Sequence, residues 1–316
     1  MALLPGDDSP YVFESDLRPD SAGRGLLDYM SGRFAYQDRE TWRRRIEDGA
    51  VLLDGRKLTN PDERLPGKGR LAYVHGLYAE PDVPTDWRVL HMAEGWMSVS
   101  KPAGMPVHST PRIFRQALSW QVRRLFGDGW APVHRLDRDT SGLILFARGR
   151  EALSRLNACF SQRRVEKTYL ALVHGEPRAD FRIDGPLGNA GDPRIPMRVG
   201  VRDDGKEART RIQVLGRDLR GRGTWVEARP LQGRLHQIRA HLESAGFPIV
   251  GDLLYDGRGG VGFLAREAGA TPAEVAALAG ASRMWLHARE LNFPSAELGM
   301  PTRLTCPMEG DDPSFS

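Results

Sequence analysis

Two carboxylates and two guanidiniums crowd one short segment, His134-Arg135-Leu136-Asp137-Arg138-Asp139-Thr140-Ser141-Gly142, and an apolar run, Leu143-Ile144-Leu145-Phe146-Ala147, follows at once. A short apolar run of this kind reads as a buried strand. Charge gathered at the mouth of a buried strand is costly unless it is paired. One of the carboxylates could be a nucleophile that a neighbouring arginine keeps ionised, or the two could act as acid and base on a sugar. The plain alternative is a structural ion-pair network, with Thr140 and Ser141 capping a turn. The acid–base pair fits less well, because such pairs stand about 5–10 Å apart across a sugar. Asp137 and Asp139 share one loop, two residues apart.

The wording of this loop closely resembles the signature of the RluA family of pseudouridine synthases, His-Arg-Leu-Asp-x-x-Thr-Ser-Gly before an apolar strand. Three further strings resemble that family in the same order: Lys101-Pro-Ala-Gly-Met-Pro-Val-His108, Lys167-Thr-Tyr169 and Gly233-Arg-Leu-His-Gln-Ile-Arg239. In the last, Gln232 stands where the family usually has Thr. Together they carry the resemblance over roughly residues 88–310. It implies that Asp137 is the catalytic aspartate, that Tyr169 lies against the target base and that Arg239 forms a salt bridge with Asp137. Arg135 then fills the gap left by a flipped-out base, and His134 becomes a further candidate RNA contact. The family's Leu-His-Ala string lies close to the active site, which adds Leu286. The chemistry implied is isomerisation of uridine to pseudouridine in structured RNA, with large-subunit (23S) ribosomal RNA expected first and transfer RNA second. These residues fit attack on the sugar carbon and attack on the uracil ring alike. No cofactor and no metal is expected. His236 and His241 are five apart, whereas two zinc ligands on one helical face want a spacing of four. A non-catalytic RNA-binding or ribosome-assembly protein is the rival of another class, and the joint presence of Asp137, Tyr169 and Arg239 argues against it.

The elements that must position these residues follow from periodicity. Residues 96–100 alternate as a strand. Residues 117–126 predict an amphipathic helix with Leu118, Val122 and Leu125 inward. Residues 151–164 predict a helix with an inward stripe of Leu153, Leu156 and Phe160. Residues 168–173 predict a strand with Tyr169, Ala171 and Val173 on one face. A helical stripe of Leu235, Ile238 and Leu242 carries Arg239. Residues 257–283 are rich in Gly and Ala and look like an insertion, with a short helix over 272–279 opened by the capping box Thr271-Pro-Ala-Glu274. The fold class implied is α+β, a mixed, mainly antiparallel sheet with flanking helices and a central cleft.

Ahead of this lies a smaller unit. Residues 1–20, rich in Pro, Asp and Ser, read as a loose lead-in. Residues 21–80 then show a first helix near 23–30 and a second over 41–48, with Trp42 and Ile46 inward and Gly49 as its stop. A hairpin follows over 51–58, turning at Asp54-Gly55. This order resembles an S-four-like RNA-binding module, which implies Arg43 and Arg44 as RNA contacts; a solvated arginine face is the alternative. Residues 77–87, with Pro81 and Pro84, read as a linker.

A chain of 316 residues with net charge +4 fits two domains and a polyanionic partner. Two distant cysteines, Cys159 and Cys306, fit a reducing compartment. The opening residues have neither a basic start nor a long apolar run, and no segment reads as a membrane span. The expectation is a monomeric cytoplasmic protein with no membrane partner.

Overall fold

The computed structural model describes residues 11–34, 37–76, 80–110, 113–297 and 299–308. The chain divides into two compact units, Ala2–Pro81 and Asp82–Ser316. Residues 1–10 of the expected lead-in, 77–79 of the expected linker and 309–310 at the end of the expected catalytic region lie outside the described residues.

The first unit runs β1 (Tyr11–Asp16), α1 (Leu26–Arg33), α2 (Arg39–Glu47), β2 (Val51–Leu53), β3 (Arg56–Leu58) and β4 (Arg70–Gly76). Its strands pair antiparallel in the order β1-β4-β2-β3. Residues 11–16 are therefore not a loose lead-in. The composition around them hides the short apolar start Tyr11-Val12-Phe13 of a strand that pairs with β4 along its length. Helix α1 begins three residues later than expected, because Gly23 takes a positive φ and the chain turns before it can wind. Asp38 caps α2 by accepting the Thr41 N–H at 2.8 Å. Trp42 and Ile46, one turn apart, are wholly buried against Leu27, Met30, Val51 and Tyr73. The β2–β3 hairpin turns at Asp54 and Gly55, both with positive φ, as a tight two-residue turn demands.

The second unit continues with β5 (Arg88–Ala93), β6 (Trp96–Lys101), α3 (Leu118–Phe126), β7 (Trp130–Pro132), β8 (Ser141–Arg148), α4 (Arg150–Ser161) and β9 (Glu166–Val173). Then come β10 (Phe181–Asp184), β11 (Leu187–Asn189), β12 (Val199–Val201), β13 (Arg209–Arg217) and β14 (Thr224–Pro230). The rest is α5 (Gln237–Ser244), α6 (Val261–Glu267), α7 (Pro272–Ala279), β15 (Leu286–Asn292) and β16 (Arg303–Thr305). One sheet takes the order β10-β13-β14-β9-β15-β8-β6-β5, with β16 beside β15 and β7 beside β8; β11 and β12 form a separate ladder. Within the large sheet the pairings are antiparallel except for β15 with β8. This is the mixed, mainly antiparallel α+β arrangement that the sequence implies.

Strand β8 is apolar from Leu143 to Ala147 because both its faces are covered there. Leu143, Leu145 and Ala147 pack with Leu156 and Cys159 of α4, whereas Ile144 and Phe146 pack with Leu118 and Val122 of α3. The α4 face differs slightly from expectation. Ala152, Leu156 and Cys159 are its buried residues, and Leu153 and Phe160 flank them, since small side chains let the helix sit close to the sheet. Where β8 meets β15, Ser141 and Gly142 lie opposite His287 and Ala288. Gly142 has φ 111°, and a Cβ there would overlap the Ala288 carbonyl oxygen.

Helix α5 starts later than its apolar stripe suggests. His236 takes the left-handed conformation, φ 52° and ψ 22°, so Leu235 stands outside the helix and is 44% exposed. Residues 257–283 contain α7, with its capping box formed, and also α6, which its sequence did not announce. Among the described residues no helix is long and apolar enough to cross a membrane.

Candidate active site

The loop between β7 and β8 is held from below. Leu136 is buried among the α3-side apolar residues, which turns its neighbour Asp137 the other way. Lys101, wholly buried at the end of β6, donates from Nζ to the carbonyls of Pro102, Met105 and Arg138 at 2.9, 2.8 and 2.9 Å. Burial pulls its pKa down to about 7. The Gly104 N–H also donates to the Arg138 carbonyl, at 2.9 Å. The Lys-Pro-Ala-Gly turn is thus a clamp on the loop's backbone.

Asp137 and Asp139 leave this loop on different sides. Asp139 pairs with Arg138 at 2.9 Å and lines a cavity of about 620 Å³ together with Lys101, Ser141, Leu253, Arg266 and Val275. Burial would raise the Asp139 pKa, but the charge and hydrogen bond of Arg138, with the charges of Arg239 and Arg266, together outweigh it and hold the carboxyl below its usual range. Asp137 instead lines a cavity of about 690 Å³ with Arg135, Tyr169, His236, Arg239 and Leu286. The two carboxylates therefore do not face one sugar site, and the acid–base reading loses its geometry.

Arg239 reaches Asp137 from the first turn of α5. Its Nη1 donates to Asp137 Oδ2 at 3.0 Å. Its Nε and Nη2 donate to Asp252 Oδ2 and Oδ1 at 2.6 and 2.8 Å. Burial alone would lower the guanidinium's pKa, yet Asp252, and then Asp137, raise it above its ordinary value. Asp252 is 1% exposed and also accepts the N–H groups of Leu254 and Tyr255, at 2.9 and 3.0 Å. The Tyr255 ring lies beneath the Arg239 guanidinium at 4.9 Å. A buried cation is thus fixed by a bidentate carboxylate and an aromatic face, with Nη1 turned to Asp137.

Tyr169 stands on β9 facing this cavity. Burial and the Asp137 charge both raise its pKa above the ordinary phenol value, so its hydroxyl stays protonated. Leu286 begins β15 beside it, with Ala288 in register opposite Tyr169. Arg135 is exposed at the cavity's edge. The His134 ring stacks on Phe160, centroids 4.8 Å apart, and accepts the Leu145 N–H at 3.1 Å. Burial and the nearby Lys167 charge lower its pKa to about 3, so it is neutral. Asp137, Tyr169, Arg239, Arg135, His134 and Leu286 therefore line one cavity. Arg43 and Arg44 lie on α2 of the other unit, Arg44 exposed and Arg43 half-buried beside Glu40.

Sequence reasoning missed Asp252 and Tyr255, and weighed His236 only as a zinc ligand. The available signal was Gly251-Asp252 directly after Ile249-Val250, a carboxylate at the end of a buried stretch. Among the described residues no cluster of His, Cys, Asp or Glu could hold a metal ion.

Comparison with known proteins gives a consistent result. The family model described as RNA pseudouridylate synthase matches residues 95–244. A protein of Xanthomonas campestris pv. campestris, named ribosomal large subunit pseudouridine synthase D, is 34% identical over 96% of this chain and 93% of its own length. The mitochondrial tRNA pseudouridine(32) synthase of Saccharomyces cerevisiae is 30% identical over 73% of this chain and 50% of its own. Among solved structures, human RNA pseudouridylate synthase domain containing 1 superposes with a TM-score of 0.57 at 26% identity, covering 73% of this chain and 86% of that one.

Proposed function

From the premise that this chain belongs to the RNA pseudouridylate synthase family, of the RluA type, and is an RNA pseudouridine synthase, we propose that its target is a uridine in large-subunit ribosomal RNA. The bacterial relative matched almost end to end bears that substrate in its name, whereas the tRNA-named relative is matched over only 50% of its length. We assign RNA capture to the first unit, as an S-four-like module presenting Arg43 and Arg44 to phosphates. Transfer RNA is the second reading.

The observation that carries the mechanism is Asp137 Oδ2 held at 3.0 Å by a buried, Asp252-anchored arginine inside a cavity of about 690 Å³. The reaction breaks the bond from ribose C1′ to uracil N1, turns the base and joins C1′ to C5. The C5 proton is then lost and N1 gains one. An enzyme group reaches these atoms only when the nucleotide is flipped out of its stack. Asp137 makes the attack, and Arg239 keeps it ionised and oriented. Tyr169 offers an aromatic face, worth about 1–3 kcal/mol for a stacked base, and its neutral hydroxyl assists removal of the C5 proton. Leu286 packs beside the base. Arg135 fills the space the base vacates, where a planar guanidinium can stack.

Asp137→Asn tests this assignment. The variant should release no tritium from RNA labelled at uridine C5 and should bind RNA as before, because phosphate contacts dominate affinity. Turnover near the wild-type rate would remove Asp137 from this role. Pseudouridine mapping of ribosomal and transfer RNA from cells lacking the protein decides between targets: a site lost from large-subunit RNA is expected, and a site lost only from transfer RNA would replace that reading.

A further inference from the structure

His236 breaks the chain into a left-handed turn immediately before α5, and this turn leaves its ring 12% exposed on the wall of the Asp137 cavity. Its two nitrogens meet different surroundings. Nδ1 lies 2.9 Å from the Tyr255 hydroxyl. That hydroxyl oxygen accepts the Val199 N–H at 3.0 Å, and Tyr255 is wholly buried. A buried hydroxyl must place its own proton on an acceptor, and Nδ1 is the acceptor within reach among the described contacts. Nδ1 is therefore unprotonated, and the ring proton sits on Nε2. Burial and the Arg239 charge lower the ring's pKa to about 4, so this neutral form persists at neutral pH. Nε2 stands 3.8 Å from Asp137 Oδ2, beyond hydrogen-bond length. An oriented N–H thus points into the cavity beside the attacking carboxylate.

We propose that His236 reads the ribose of the target nucleotide, donating from Nε2 to the 2′-oxygen. This rests on the reading that Asp137 acts beside the glycosidic bond of a flipped uridine. Three acceptors adjoin that bond, the ribose ring oxygen O4′, the 2′-oxygen and uracil O2. O4′ gives electron density to C1′ as the bond breaks, which leaves the 2′-oxygen as the stronger acceptor on the ribose. The base detaches and turns during isomerisation, while the ribose stays tethered by its phosphates. A donor fixed through Tyr255 and Val199 keeps one partner throughout only if that partner is on the ribose. The 2′-hydroxyl is also the group that separates RNA from DNA at a single nucleotide. His236 and Tyr255 thereby make the site selective for a ribonucleotide, with Tyr255 as the positioning residue.

The test compares single-turnover rates on a synthetic stem–loop carrying the uridine that mapping identifies, with ribose or 2′-deoxyribose at that position. Asn is the replacement of choice for His236, since it tolerates left-handed backbone. The wild type should lose about tenfold or more on the deoxy substrate, the order of one lost hydrogen bond. His236→Asn should lose about as much on the ribo substrate and little more on the deoxy one. Equal factors lost on both substrates would overturn the proposal, as would coupling to 2-thiouridine in place of 2′-deoxyuridine. A second measurement needs no variant: nitrogen-15 spectra of histidine-labelled wild type should show the His236 proton on Nε2 between about pH 6 and 8, and a proton on Nδ1 would refute the proposal. Failure of the Asp137 reading shows separately, as turnover by Asp137→Asn.

Discussion

Asp137 and Asp252 contact the same guanidinium, yet their substitution by asparagine should have opposite signatures. Asp252 is 1% exposed and accepts from Arg239 at 2.6 and 2.8 Å and from two backbone N–H groups. With asparagine there, one amide donor faces an Arg239 donor, and a buried cation keeps a single counter-charge. Breaking a buried pair in this way costs about 3–5 kcal/mol. For a unit of this size that is a fall in Tm of roughly 6–20 °C, at about 2–4 °C per kcal/mol. Turnover should also drop, by about 10–100-fold, because the arm orienting Asp137 loses its anchor. Asp137 has a side chain 19% exposed and a single contact to Arg239, at 3.0 Å. Asp137→Asn leaves Arg239 its bidentate partner and should cost about 1 kcal/mol or less, while turnover vanishes. Thermal denaturation of both variants beside tritium release decides the matter. An Asp252→Asn protein that melts within about 2 °C of wild type would refute the claim that this carboxylate neutralises the buried cation.

Three further outcomes are expected. Replacing Arg43 and Arg44 by glutamine should reduce the slope of log affinity against log salt by about one to two units, leaving single-turnover chemistry on saturating short RNA unchanged; an unchanged slope would make that helix face ordinary solvated surface. Tyr169 keeps its proton beyond its ordinary pKa of 10.0, so kcat/KM should show no tyrosine titration up to that pH, and a transition near 10 that disappears in Tyr169→Phe would contradict this. His134, His236 and His287 have pKa values lowered by burial to about 3, 4 and 4, against 6.5 when free. The unfolded chain then binds more protons below about pH 6.5, and at pH 5 each residue should subtract about 2 kcal/mol from stability. Urea unfolding at about pH 5 and about pH 7.5 measures the loss, and equal midpoints would count against it.

The loop at Asp137 was legible because its chemistry is written contiguously, as were the tyrosine on β9 and the arginine in Gly233–Arg239. The capping box of α7 was equally local. What escaped depends on distance or on backbone. Asp252 lies 13 residues beyond Arg239 and meets it through tertiary packing. Tyr255 acts through its hydroxyl on a histidine 19 residues earlier. The late start of α5 follows from one left-handed residue, which no apolar period reveals, so Leu235 was counted as core and is exposed. Strand β1 was hidden because prolines and acids surround it and its own residues run three apolar then three polar, with no period-two pattern to mark a strand.

The parallel junction of β8 with β15 bears on the order in which the protein can be made. Ser141 pairs with His287 across 146 residues. A nascent chain that ends before residue 286 already contains Asp137, Tyr169 and Arg239, but it lacks the strand lying between β8 and β9. Its sheet is two pieces, each with an open edge where the Asp137 cavity should close. Synthesis must therefore run past β15 before the walls of the Asp137 cavity can assemble, and the long-range closure makes a slow folding step. Released chains truncated after residues 280 and 308 should differ sharply in protease resistance around residues 137–145, and equal resistance would show that the two pieces set without their seam.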